Sequence, residues 1–247
     1  MIRSLSLAGA FALTALPGLA LDLDKMTDEE REVFRAEVRS YLLDNPEVIM
    51  EAVDLLQQRE AQAEAAHDLA LVKAYSGEIF DDGYSYVGGN PDGDITLVEF
   101  VDYRCGYCRK AHEEVKQLVE NDGNIRLIYK ELPILGEASV LSSRFAVAVK
   151  QVAGSEAYAM AHDALISMTG EPSPTALSRL ADALGLDATA VLAHMDSAEV
   201  TDEIRATRAL AQKLSISGTP TFVMQDQLLR GYLPLNTMTA LVEEKRG

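Results

Sequence analysis

Two cysteines stand in the chain of 247 residues, three positions apart, in Cys105-Gly106-Tyr107-Cys108. Thiol–disulfide exchange needs an attacking thiolate and a second thiol near enough to resolve the mixed disulfide, and a CxxC at a helix start supplies both. Unpaired N–H groups and the helix dipole favour negative charge there, so Cys105 reads as the nucleophile and Cys108, one turn further in, as the resolving thiol. A structural staple would be badly placed: so short a loop is worth roughly 2 kcal/mol before strain, against about 4.7 kcal/mol for a hundred-residue loop. Zinc is the competing use. His112 extends the motif to C-x2-C-x3-H, but a closed structural site takes four ligands. No other cysteine exists, and His67, His162 and His194 stand far off in sequence. The reading is therefore no metal and no other cofactor, with the histidines at ordinary surface or helix positions.

A second feature lies far along the chain, in Ser217-Gly218-Thr219-Pro220-Thr221-Phe222, where a proline opens a strand. Proline is poorly tolerated inside a sheet because it cannot donate to the ladder. A cis Thr219-Pro220 bond would explain it, turning the backbone of Thr219 toward the active-site sulfurs and toward an extended substrate. A trans proline at a strand edge is the alternative. Gly106, Tyr107, Thr219 and Pro220 thus read as the substrate-facing residues.

The elements that must position these groups follow from patterning. Residues 95–101, rich in β-branched and apolar side chains, form a buried strand directly before the motif. A helix over 110–119 and a strand over 125–129 complete a strand–CxxC–helix–strand unit. Residues 138–214 read as several helices, broken at Gly154, at 170–174 and at Gly185. A hairpin of 221–224 and 228–229 and a helix over 235–244 close the chain. Residues 77–93, rich in Gly, Asp and Tyr, read as a loop entering the main domain. Ahead of it, Thr27-Asp28-Glu29-Glu30 has the form of a capping box, and Asn45-Pro46 starts a second helix. Segment 27–75 is helical with little of its own to pack against, so its apolar face needs a second copy of itself or the main domain. The domain plan is a signal peptide over 1–20, a helical extension over 21–76 that forms a homo-oligomer, and a main domain over 77–247.

The first residues run Met1-Ile2-Arg3, an apolar stretch from Leu5 to Leu16, and Pro17-Gly18-Leu19-Ala20. That is the pattern of a cleaved secretory signal peptide, and it implies a periplasmic location. A formal net charge of −17 argues against nucleic acid as a partner, because phosphate binding depends on clustered Lys and Arg.

Val98-Glu99-Phe100-Val101-Asp102-Tyr103-Arg104 leading into the CxxC, Tyr129-Lys130-Glu131-Leu132-Pro133 and Gly218-Thr219-Pro220-Thr221-Phe222 resemble the DsbA family of thioredoxin-fold oxidoreductases. The resemblance spans about 88 to the C-terminus. It implies an α/β thioredoxin fold with a helical insertion, here about 138–214, and a cis bond before Pro220. It also implies that Glu99 is the buried acid that exchanges protons with Cys108; a strand-end surface glutamate is the alternative. The implied activity is disulfide exchange with exported Cys-containing proteins, served by a membrane or periplasmic redox partner. Gly106-Tyr107 between the cysteines and Thr219 before the proline depart from the typical oxidase of the family and lean toward isomerase or reductase work. A DsbA-type dithiol oxidase is the enzymatic alternative, and a zinc-stabilised or redox-inert envelope binding module the non-enzymatic one. Helical N-terminal extensions like 27–75 occur in the ScsC-like and Com1-like members.

Overall fold

The computed structural model describes residues 25–247, so the signal peptide expected over 1–20 lies outside the described residues. The chain divides into two compact units, one ending at Arg59 and one beginning at Glu60.

In the first unit, α1 (Asp28–Asp44) starts at a reciprocal cap. The Thr27 hydroxyl accepts from the Glu30 N–H at 3.2 Å, and the Glu30 carboxylate accepts from the Thr27 N–H at 2.8 Å. Asn45 ends the helix by donating its N–H to Tyr41 O, and α2 (Glu47–Ala74) follows. No residue of α1 is buried. Val33, Phe34, Val38, Tyr41, Ile49, Met50 and Val53 all stand exposed, so this unit carries an apolar stripe that helix propensity alone does not stabilise.

The second unit takes in the later half of α2, whose Val72 is buried in a core cluster and whose Asp68 pairs with Arg230. Residues 60–76, assigned from sequence to the extension, therefore pack with the main unit. It continues through α3 (Ser76–Phe80), β1 (Tyr86–Gly89), β2 (Ile95–Val101), α4 (Gly106–Asp122) and β3 (Ile125–Glu131). Next come α5 (Glu137–Ala153), α6 (Ser155–Ser167), α7 (Pro174–Ala183), α8 (Ala188–His194) and α9 (Ala198–Lys213). The chain closes with β4 (Thr221–Met224), β5 (Gln227–Arg230) and α10 (Leu235–Arg246). The sheet order is β1-β3-β2-β4-β5, with β2 and β3 parallel and the other pairs antiparallel. A parallel pair needs a crossover, which α4 supplies. This is the thioredoxin fold with a helical insertion between β3 and β4 and helices at its N-terminus.

Side chains of β2 alternate between two cores. Ile95, Leu97 and Val101 face α4 and the insertion helices, whereas Val98 and Phe100 join Leu210 and Val72 on the other side. With both faces covered the strand is apolar apart from the half-buried Thr96 and the buried Glu99, which falls on the α4 side with Leu97 and Val101.

The loop expected over 77–93 is only partly a loop. It holds α3 and the edge strand β1, which pairs Tyr86 with Tyr129 and Gly89 with Arg126. Two glycines in a strand of four residues hide the pattern, because glycine ordinarily weakens strands. Gly89 is there for space and conformation: its φ is +65°, and a Cβ would stand 2.3 Å from the Ile125 carbonyl oxygen. Ahead of β1 the segment is tied to β3 by Lys130, whose buried ammonium donates to Asp82 at 2.5 Å and to the Glu78 carbonyl at 2.9 Å. Replacing Gly89 with alanine is expected to lower unfolding stability by at least about 1–2 kcal/mol, read as a lower urea midpoint at unchanged slope.

Candidate active site

The turn from β2 into α4 is built on one carboxylate. Asp102, fully buried, accepts from the backbone N–H of Arg104 at 2.8 Å, of Ile134 at 2.8 Å and of Leu135 at 3.1 Å. Its carbonyl accepts from the Cys105 N–H at 3.0 Å. The loop before α4 and the loop after β3 are thereby tied together. Cys105 is the N-cap residue of α4, so its sulfur sits at the open N-terminus of the helix, and Cys108 lies one turn inside with no exposure. Both are free thiols.

The Thr219-Pro220 bond is cis, and the Cys105 thiol donates to the Thr219 carbonyl at 3.1 Å. The Thr219 hydroxyl is buried, has no other partner among the described residues, and sits beside the same sulfur. The Cys105 pKa is lowered from 9.0 to about 5, first by the Cys108 thiol; burial opposes this as the next largest effect, and Thr219 and the N–H groups of Cys108 and Tyr107 then lower it further. The reduced form gains stability from this acid thiol. That gain is complete above the unfolded value near pH 9.0 and is lost as pH falls through about 5. Cys108 is pushed the other way, by its bond to Cys105, by burial and by the charge of Glu99.

Glu99 is 1% exposed and sits under the motif rather than at a strand end. Burial, then the charges of Cys105 and Glu131, raise its pKa to about 8. Gly106 has open space where a Cβ would stand, and Tyr107 is exposed, its ring 6.2 Å from that of Tyr232. The structure thus gathers Cys105, Cys108, Glu99, Thr219 and Pro220 in one place, with Gly106 and Tyr107 on its outer rim. Among the described residues no three His, Cys, Asp or Glu side chains are grouped to hold a metal ion. His112 instead meets Asp163 at 3.2 Å, and both it and His162 are buried, not surface positions.

A family model described as a DSBA-like thioredoxin domain matches residues 96–243. The chain belongs to the DSBA-like thioredoxin family. A second model, the N-terminal domain of the copper resistance protein ScsC, matches residues 30–63. The crystal structure of a thioredoxin-like oxidoreductase from Silicibacter pomeroyi is 43% identical, covering 69% of this chain and 96% of that one, with a TM-score of 0.64. The thiol-disulfide exchange protein alpha-DsbA2 from Wolbachia pipientis is 30% identical, covering 73% of this chain and 98% of that one, with a TM-score of 0.68. A Na(+)/H(+) antiporter NhaA of Salinispora tropica is 28% identical over 162 residues, 66% of this chain. The chain spans about a quarter of the length of the curated relatives it matches.

Several residues of this DSBA-like site carried no signal in the sequence reading. Tyr232 follows β5, donates to Glu114 at 2.6 Å and lies under the Lys110 ammonium at 4.1 Å, which places a second aromatic ring beside Tyr107. Tyr103 and Glu131 lie inside the motifs that carried the resemblance, yet only the fold brings them together, at 2.7 Å. Thr219→Val removes the hydroxyl and keeps the carbonyl. The midpoint of the pH profile for Cys105 alkylation is expected to rise from about 5 toward 9.0, measured with iodoacetamide on the reduced protein.

Proposed function

We propose that this protein exchanges disulfides with exported Cys-containing polypeptides, with Cys105 attacking or being attacked and Cys108 resolving the mixed disulfide. The observation that carries the reading is the acid Cys105 thiol held against the carbonyl of Thr219, with Cys108 buried behind it. In the working cycle, the Cys105 thiolate attacks a substrate disulfide, one substrate sulfur leaves as thiolate, and Cys105 is left in a mixed disulfide. Cys108 then attacks Cys105, giving its proton to Glu99 and releasing the second substrate sulfur. Thr219 and Pro220 border the strand edge along which an extended substrate pairs, and Gly106 and Tyr107 meet its side chains.

Isomerase or reductase work is the preferred form, supported by Thr219 ahead of the proline and by the absence of a charged residue between the cysteines. A second reading, dithiol oxidase, draws on the acidity of Cys105, because stabilising the reduced form raises the oxidising power of the couple. The N-terminal pattern of residues 1–20 supports export to the periplasm, where a redox partner restores the working state. Among the described residues no helix is long and apolar enough to cross a membrane.

Equilibration of the mature protein in glutathione buffers, followed by thiol quantification, separates these readings. A potential of about −180 mV or below is the expected result, one of about −120 mV would make it an oxidase, and no exchange at all would sink the enzyme reading. We also assign residues 27–59 to self-association, supported by the exposed stripe through Val33, Phe34 and Leu56. Phe34→Glu combined with Leu56→Glu is expected to reduce the light-scattering mass from an oligomer to a monomer. A monomeric wild type would refute the assignment.

A further inference from the structure

The sheet face beneath α4 is not wholly apolar. A polar seam crosses it, made by Glu99 on β2, Tyr129 and Glu131 on β3, Tyr103 in the turn, and Tyr158 and His162 on α6, all of them buried. Glu99 pairs with Tyr129 in the parallel register and Val101 with Glu131, so the two carboxyls lie on adjacent strands, on the same face, one pleat apart. Glu131 Oε1 accepts from Tyr103 and from Tyr158, each at 2.7 Å, while Oε2 is buried with no hydrogen-bond partner among the described residues. Tyr103 also lies 2.9 Å from His162 Nδ1: with Glu131 ionised it donates to the carboxylate and accepts from Nδ1–H, and with Glu131 protonated the chain reverses, the carboxyl donating to Tyr103, Tyr103 to Nδ1, and the imidazole proton sitting on Nε2. The other nitrogen of His162 is then free to serve a cavity of about 240 Å³ lined also by Tyr86, His112, Lys116, Tyr129 and Asp163. Asp163 and Lys116 are each about half exposed and open this cavity to solvent.

We propose that Glu99 and Glu131 hold one proton between them, and that Tyr103 and His162 conduct it from Glu131 to the cavity when Cys108 is deprotonated. The proposal rests on the exchange reading above and extends it to the fate of the proton. In the resolving step the Cys108 sulfur bonds to Cys105, the Cys105 bond to substrate breaks, and the electron pair leaves on the substrate thiolate. The Cys108 proton passes to Glu99, which becomes neutral. Glu131, no longer opposed by a charged neighbour, ionises: its proton goes to the Tyr103 oxygen, the Tyr103 proton to His162 Nδ1, and the proton on His162 Nε2 to the cavity. One proton is lost from Cys108 and one appears in solvent, without Glu99 ever being exposed.

The surroundings suit this traffic. Burial raises Glu131 to about 7, against the hydrogen bonds of Tyr103 and Tyr158 and the charge of Lys150, and Glu99 stands at about 8. Two like charges on one buried face titrate as a pair. Burial, then His112, lower His162 to about 3, so it is neutral and passes protons by exchanging tautomers. Tyr129 stacks on His162 at 4.1 Å, and on α4 His112 faces Asp163, with Glu113 and Lys116 as its other charged neighbours. Lys150 of α5 is occupied by Glu203 and the Tyr84 carbonyl.

Carbon-13 NMR titration of the glutamate side-chain carboxyls in the reduced full-length protein tests this without depending on any substrate. Glu131 is expected to titrate near neutral pH in the wild type. Glu131→Gln, which keeps an oxygen for Tyr103 and Tyr158, is expected to lower the Glu99 midpoint by about one unit, with the pH profile for resolving a Cys105–glutathione disulfide shifting equally. With a Cys105–thionitrobenzoate disulfide, whose leaving thiolate stays ionised at neutral pH so that the proton remains in solvent, Tyr103→Phe should leave both carboxyls high but delay proton appearance, followed with an indicator dye, several-fold behind thiol release. A Glu131 carboxyl ionised throughout the range from about pH 5 to about pH 9, or a Glu99 midpoint unmoved by Glu131→Gln, overturns the sharing. Dye and thiol signals in step in Tyr103→Phe overturn the route. Failure of glutathione exchange with normal carboxyl titrations would instead count against the enzyme reading alone.

Discussion

Strand β2 is hydrogen-bonded along both edges, to β3 in parallel and to β4 antiparallel, and this double pairing is what the site depends on. It carries the chain out of the sheet at Val101, directly into the turn that presents Cys105. It also delivers Thr219, 114 positions later in sequence, to the same sulfur. Neither half makes a site alone. The sulfur needs the open N–H groups of α4 on one side and the groups of residue 219 on the other, and only pairing of β4 with β2 brings the second to the first.

The same pairing buries Glu99. A central strand covered on both faces leaves no room for a solvated carboxylate, and an unpaired charge in such a place is expensive unless it gains a proton or a partner. Glu99 meets that cost with a raised pKa, and its neighbour Glu131 does so with polar partners on the α4 face. Tyr103 and Tyr158 both donate to one oxygen of Glu131, and His162 donates to Tyr103. Satisfied polar contacts of this kind hold a core in one arrangement as well as stabilising it. The insertion is therefore more than a cover, since α6 supplies Tyr158 and His162 to the floor of the site.

How much of this was legible follows from the reach of each signal. The CxxC, the apolar run of 95–101 and the proline at 220 act through local geometry, so spacing and residue type suffice to read them. The Thr27 cap and the breaks at Gly154 and Gly185 are legible for the same reason. His162 is different. Nothing near it in sequence tells which way its helix turns, and it becomes part of the site only because Tyr103, 59 positions away, accepts from it. The strand β1 escaped for another reason: its Gly89 serves close approach to Ile125, a requirement set by the neighbouring strand and not by the segment itself. The start of the main unit at Glu60 is hidden by the continuity of α2, since helical periodicity does not change where a helix passes from one unit to the next.

Asp102 joins two loops through three backbone hydrogen bonds, and it has no exposure through which water could replace them. The loop it grips on the far side carries Ile134 and Leu135, both exposed, and Ile134 lines a cavity of about 730 Å³ together with Arg144 and Arg208. The near side is the backbone of Arg104, one residue before the nucleophile. The two loops are thus tied to one another at a single buried carboxylate. The setting of Cys105 therefore rests on a segment that follows β3 as much as on the turn that precedes α4.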